Sequence, residues 1–243
     1  MLKSLAPPLR KLGVKSLRVK SPCLPPRLYR PSSTFTITYP CNRPVFVFLA
    51  GCPGAGKTHA LHKIYDLANV EILDLDVVMK EHPDYNRRDA ARVYSKKKAY
   101  NWADSQIERC FQDILEQNRV GSLERPIHVL DGTSANYERS IRRMTEAKDA
   151  GFWTVLLYCR VSVDTALRRN AARNRRVPED ELRGYVPSVD RAVQMILEAE
   201  NCVHECIVLD NDEDDSLTEA ERWGRFQKRI QEDSTMRTDF MDW

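Results

Sequence analysis

Residues 51–58 read Gly-Cys-Pro-Gly-Ala-Gly-Lys-Thr, an unbroken G-x-x-x-x-G-K-[ST] run, and few strings of this length restrict a fold so tightly. The pattern carries a mechanism only between a strand and a helix, and both flanks fit. Pro44 to Ala50 is a short continuous apolar stretch of the kind that forms a buried strand, and Leu61, Ile64, Tyr65 and Leu67 recur at roughly helical spacing over 57–69. Gly51, Gly54 and Gly56 let the backbone curl until successive N–H groups converge on phosphate oxygens, with Cys52, Pro53 and Ala55 completing the loop. The helix start adds unpaired N–H groups and the positive end of its dipole. Lys57 is expected to bridge the β- and γ-phosphates and Thr58 to place its hydroxyl on Mg²⁺, so the expected ligands are ATP and Mg²⁺.

Four more apolar runs, 70–75, 127–131, 152–159 and 206–210, read as strands. Helical patterns lie between and after them, over 88–118, 135–150 (with Gly151 as a C-cap), 162–174, 188–201 and 216–232. Strands alternating with helices predict an α/β fold: a five-stranded parallel sheet with helices on both faces and functional residues at the C-terminal strand ends.

Charge divides the chain. Residues 1–43 hold nine Lys or Arg and no acidic residue, so the overall charge of +3 is the sum of a basic extension and a remainder of net −6. The Arg/Lys/Ser/Pro-rich, acid-free extension has the composition of a mitochondrial or plastid transit peptide. Its Pro7-Pro8 and Pro25-Pro26 pairs would interrupt a long amphipathic helix. The expected organisation is therefore an extension over 1–43, a phosphate-loop α/β domain over 44–232 and a tail over 233–243. The acidic remainder shows no strong electrostatic footprint for nucleic acid, and no apolar run is long enough for a membrane span. Seven cysteines at irregular spacings fit a reducing compartment better than a disulfide framework.

Chemistry-bearing residues cluster at the predicted strand ends. The second strand closes in Asp74-Leu75-Asp76, and strand alternation would put both carboxylates on one face beside the phosphate loop. A carboxylate there can take the proton of an attacking hydroxyl; this role is assigned to Asp76, and helix capping to Asp74. The third strand closes in Asp131-Gly132-Thr133. Asp131 suits either the water shell of Mg²⁺ or the acceptor, and Thr133 either a ligand contact or a helix cap. After the fourth strand, Arg169 and Arg173 stand four residues apart, with Arg175 and Arg176 just before Val177-Pro178. Cations there could complement a helix dipole. An arginine-bearing lid that neutralises the transferring phosphoryl group is the reading adopted.

These segments resemble the zeta-toxin branch of the P-loop kinases and are also similar to the kinase domain of phage polynucleotide kinase. The likeness runs from about Pro44 to Asp210. It rests on the phosphate loop, on Leu73-Asp-Leu-Asp-Val-Val-Met-Lys-Glu-His-Pro-Asp-Tyr85, on Val129-Leu-Asp-Gly-Thr133 and on Ala166-Leu-Arg-Arg-Asn170 with Arg176-Val-Pro178. The resemblance implies Asp76 as catalytic base and Lys57 and Thr58 on ATP·Mg²⁺. It also implies His82, Asp131 and Thr133 on the acceptor side, and Arg169, Arg173 and Arg175 on the phosphates. Asp131 is one methylene shorter than the glutamate of the zeta-toxin pattern. The acceptor implied is a small-molecule hydroxyl, the zeta-toxin one being a sugar hydroxyl of UDP-N-acetylglucosamine. A nucleic-acid 5′-hydroxyl kinase, echoed by Gly-Cys-Pro-Gly and Ser95-Lys96-Lys97-Lys98, ranks below it, and a non-catalytic ATP-binding module comes third.

Overall fold

The computed structural model describes residues 43–65, 67–86, 97–173, 176–199 and 202–212, together with 218, 220, 221, 223–225, 227 and 228. Residues 1–42, Ser95, Lys96, Arg175, most of the helix expected over 216–232 and the tail 233–243 lie outside the described residues.

Five strands, β1 (Val45–Ala50), β2 (Val70–Asp74), β3 (Ile127–Asp131), β4 (Trp153–Arg160) and β5 (Glu205–Asp210), form one sheet in the order β2-β3-β1-β4-β5. Every pairing is parallel. β1 is central and buried along its whole length, as its continuous apolar run requires. Its alternate residues feed two cores. Val45, Val47 and Leu49 pack with α1 (Lys57–Ile64) and α5 (Val163–Ala171); Phe46 and Phe48 pack with α3 (Lys98–Arg119) and α4 (Tyr137–Asp149). The chain leaves β1 at the point where successive connections diverge to either side, which opens a crevice at the strand ends.

The helices depart from expectation in instructive ways. α1 stops at Ile64 and a 3₁₀ turn, Leu67–Asn69, leads into β2. α2 (Leu75–Met79) follows β2 directly, where the apolar sequence reads as more strand. Asp74 causes the switch: its Oδ1 accepts from the N–H groups of Asp76 at 2.8 Å and Val77 at 3.2 Å, capping a new helix as assigned. Asp74 and Asp76 therefore do not alternate along one strand; one ends β2 and the other lies in the first turn of α2. α4 ends with Gly151 at φ +96°, its N–H on Lys148 O and that of Phe152 on Ala147 O, the terminator read from the sequence.

α5 ends at Ala171 rather than 174, so Arg173 lies past the helix and does not share its face with Arg169. Buried Asn170 sets this stop: its amide donates to Val177 O at 2.9 Å and accepts from Val177 N–H at 3.0 Å. α6 (Glu179–Glu198) starts nine residues earlier than expected and runs straight through Pro187. Its buried stripe of Leu182, Val186, Val189, Val193 and Ile196 outweighs the one lost N–H, and Pro187 itself is exposed.

Candidate active site

The loop after β1 adopts backbone angles that side chains resist. Gly51, Gly54 and Gly56 have φ of +143°, +90° and +84°. Space forbids a side chain as well: a Cβ on Gly51 would stand 2.6 Å from Cys159 O, and one on Gly56 2.3 Å from Asn211 Nδ2. Lys57 Nζ donates to Gly51 O at 2.9 Å and Cys52 O at 3.3 Å, so its ammonium lies folded over its own loop. Burial pushes the Cys52 thiol up and the Cys159 thiol up to about 12; both are packing residues.

Two clefts open beside this loop. The first, of about 270 Å³, is lined by Gly56, His59, Arg169, Leu209, Asp210, Asn211 and Trp223. Arg169 donates to Gly54 O at 3.3 Å and to Asn211 O at 2.9 Å, which fixes it against the phosphate loop. The His59 and Trp223 rings stand 6.0 Å apart and supply aromatic surface. His59, Asn211 and Trp223 were not foreseen, because nothing in their sequence neighbourhoods marks them as neighbours of the loop.

The second cleft, of about 260 Å³, contains Lys57, Thr58, Asp74, Asp76, Asp131, Gly132 and Thr133 in one lining. Register explains the carboxylates: Asp74 pairs with Asp131 at the ends of β2 and β3, so both emerge at the same height. Burial, offset by Lys57 and reinforced by Asp74 and Asp76, pushes Asp131 up to about 6. Burial, with Asp76 beside it, also raises Asp74. This excess of buried negative charge fits a divalent cation. Thr58 and Asp131 offer the hard oxygen donors Mg²⁺ takes, while no group of three or more His, Cys, Asp or Glu among the described residues forms a closed metal cage.

Thr133 does not cap α4. Its Oγ1 accepts from Ala135 N–H at 3.3 Å, and Asn136 is the cap, accepting from Arg139 N–H at 3.0 Å. Ser134, at φ +55°, donates to Leu49 O at 2.9 Å and ties this turn to the end of β1. His82 is absent from the lining: its Nδ1 accepts from Asp84 N–H at 3.1 Å and its ring lies 5.4 Å from that of Trp102. Arg173 lines neither cleft; its N–H donates to Asn170 O at 3.1 Å.

The outer wall of the second cleft is a charge lattice between α3 and α4. Arg139 donates to Asp104 at 2.8 Å, and Arg143 donates to one oxygen of Glu108 through Nε at 2.9 Å and Nη2 at 2.7 Å. Partial burial of Glu108 opposes its ionisation, but bonds from Arg142 and Arg143 prevail and hold it at about 2. A signal for this wall exists in the sequence. Asp104 and Glu108 are four apart on one helix, Arg139 and Arg143 four apart on another, so complementary faces were readable.

The comparisons with known proteins agree with this architecture. No curated protein sequence matches the chain. Among solved structures, it is similar to a chain of the PezAT chromosomal toxin–antitoxin system of Streptococcus pneumoniae, at 15% identity and TM-score 0.52, covering 82% of this chain and 86% of that one. Weaker likenesses are to a putative kinase from Chloroflexus aurantiacus (12% identity, TM-score 0.48, 77% and 97% covered) and shikimate kinase from Acinetobacter baumannii (15%, 0.47, 83% and 97%). The Zeta toxin family profile matches residues 32–221. That span takes in the phosphate loop, the whole sheet and every residue that lines the two clefts except Trp223, and the chain belongs to the Zeta toxin family, on a P-loop kinase fold.

Proposed function

We propose that the protein transfers the γ-phosphoryl group of ATP to a hydroxyl of a small molecule, with a nucleotide sugar such as UDP-N-acetylglucosamine as the first candidate acceptor. One observation carries this reading. Lys57 and Thr58 line the second cleft with Asp76, Asp131 and Thr133, while the neighbouring loop residue Gly56 lines the first cleft with Arg169 and Asn211. A donor held in the first cleft by its nucleoside and over the loop by its phosphates would present its γ-phosphorus to the second.

The acceptor hydroxyl attacks that phosphorus, its proton passes to the Asp76 carboxylate, and the bond to the β–γ bridging oxygen breaks to release ADP. Lys57 stabilises the charge on the transferring oxygens, and Arg169, already beside the loop, adds to it. Thr58 and Asp131 would hold Mg²⁺, which supplies charge neutralisation at the phosphates. The arginine-bearing loop past α5 closes over them as a lid. The chain's basic extension directs it to an organelle, mitochondrion or plastid.

The test is full-length protein with γ-labelled ATP and three acceptor sets: nucleotide sugars, nucleosides and 5′-hydroxyl oligonucleotides. Label on a nucleotide sugar supports the reading. Label on oligonucleotide alone replaces it with the nucleic-acid kinase.

A further inference from the structure

Asn211, the first residue past β5, joins three parts of the site. Its N–H donates to Arg160 O at 2.8 Å, continuing the β4–β5 ladder by one bond. Its carbonyl accepts from Arg169 Nη2 at 2.9 Å. Its side-chain Nδ2 donates to Ala55 O at 2.8 Å, inside the phosphate loop. The amide orientation follows from chemistry, since a carbonyl can only accept and the nitrogen must face it. The contact is close enough that any Cβ on Gly56 would meet Nδ2 at 2.3 Å, so the last loop glycine is also the seat of this side chain.

The consequence comes from the planarity of the peptide unit. Ala55 C=O and Gly56 N–H belong to one rigid plane and point to opposite edges of it. Holding the carbonyl from outside turns the Gly56 N–H inward, toward the ring of amides that phosphate oxygens occupy in such loops. We propose that Asn211 is a positioning residue for the donor nucleotide. It sets the Ala55–Gly56 peptide plane from behind and holds Arg169 beside it, so the loop meets the phosphates in its binding shape. This rests on the reading that the loop binds a nucleoside triphosphate.

Calorimetric titration of full-length wild type and Asn211→Ala with ATP and with inorganic tripolyphosphate tests it, alongside thermal melting of both proteins. Loss of one such bond predicts affinity reduced roughly tenfold. The loss should be equal for both probes, because tripolyphosphate has no base and senses only the loop. If ATP weakens while tripolyphosphate does not, Asn211 touches the nucleoside and the proposal is wrong. If melting drops while both affinities hold, the residue is only structural and the proposal is again wrong. A wild type that binds neither probe overturns the nucleotide reading and this proposal together, whereas a binding wild type with an equally binding variant overturns this proposal alone. Should Asn211→Ala not fold, Asn211→Ser, whose hydroxyl is too short to reach Ala55 O, takes its place.

Discussion

Asp131 shows how a single carboxylate can cost stability to serve a site. Its folded pKa of about 6 exceeds the ordinary value near 3.8, so the folded state binds its proton more tightly than the unfolded state. The stability it contributes is complete below about pH 4 and is lost as pH rises through about 6, on the order of 2–3 kcal/mol at neutrality. Asp131→Asn should therefore melt several degrees higher than wild type at pH 7.5 without nucleotide or Mg²⁺, the gap closing toward pH 4. A variant that melts lower at pH 7.5 contradicts this account of the buried charge. Asp76 makes the complementary case. Asp76→Asn removes the proposed proton acceptor without touching the nucleotide cleft, so single-turnover transfer should fall about 10²–10⁴-fold with the ATP dissociation constant nearly unchanged. Parallel loss of ATP affinity would make Asp76 a metal or nucleotide ligand instead. At this scale the sequence was most readable where a residue's job is local. The loop glycines, Lys57 and the Asp74 cap follow from their neighbours in the chain, whereas Asn211 and Trp223 reach the site only through the sheet and the packing of distant segments.

At the scale of elements, the strands and long helices were legible, while the short helix α2 and most boundaries were not. Each strand was marked by an apolar run. Yet α2 hid in the run that continues β2, because five residues are too few to show a helical period and only the Asp74 cap announces it. The first nine residues of α6 were masked by Pro187, whose missing N–H costs less than the helix's apolar stripe gains. The Asn170–Val177 pair explains why α5 stops short. Asn170→Ala strands a buried N–H and carbonyl of Val177, at about 2 kcal/mol for the pair. It should lower the melting temperature by roughly 4–8 °C and slow transfer. Arg173→Ala should slow transfer with melting unchanged. Equal melting losses in both variants would mean that the arginine merely supports the fold.

For the whole molecule, the order β2-β3-β1-β4-β5 places the phosphate loop at the sheet's crevice and the ends of β2 and β3 on one side of it, so acids far apart in sequence share one cleft. The α/β class was readable because strand and helix patterns alternate; the strand order was not, since no local signal records which strand lies beside which. Deleting residues 1–43, which are acid-free and rich in Pro and Arg, should leave transfer activity in vitro intact. Fused to a reporter, the same segment should carry it into an organelle, and a reporter that stays in the cytosol would refute the targeting proposal. Lys57 is the residue proposed to join a donor cleft to an acceptor cleft for phosphoryl transfer. The most direct test of this is the single-turnover transfer of γ-label from ATP to UDP-N-acetylglucosamine by full-length wild type and Lys57→Ala, with melting recorded on the same samples. Wild type should yield labelled sugar nucleotide and an equally folded variant none above background; equal turnover by both would show that Lys57 takes no part in the transfer.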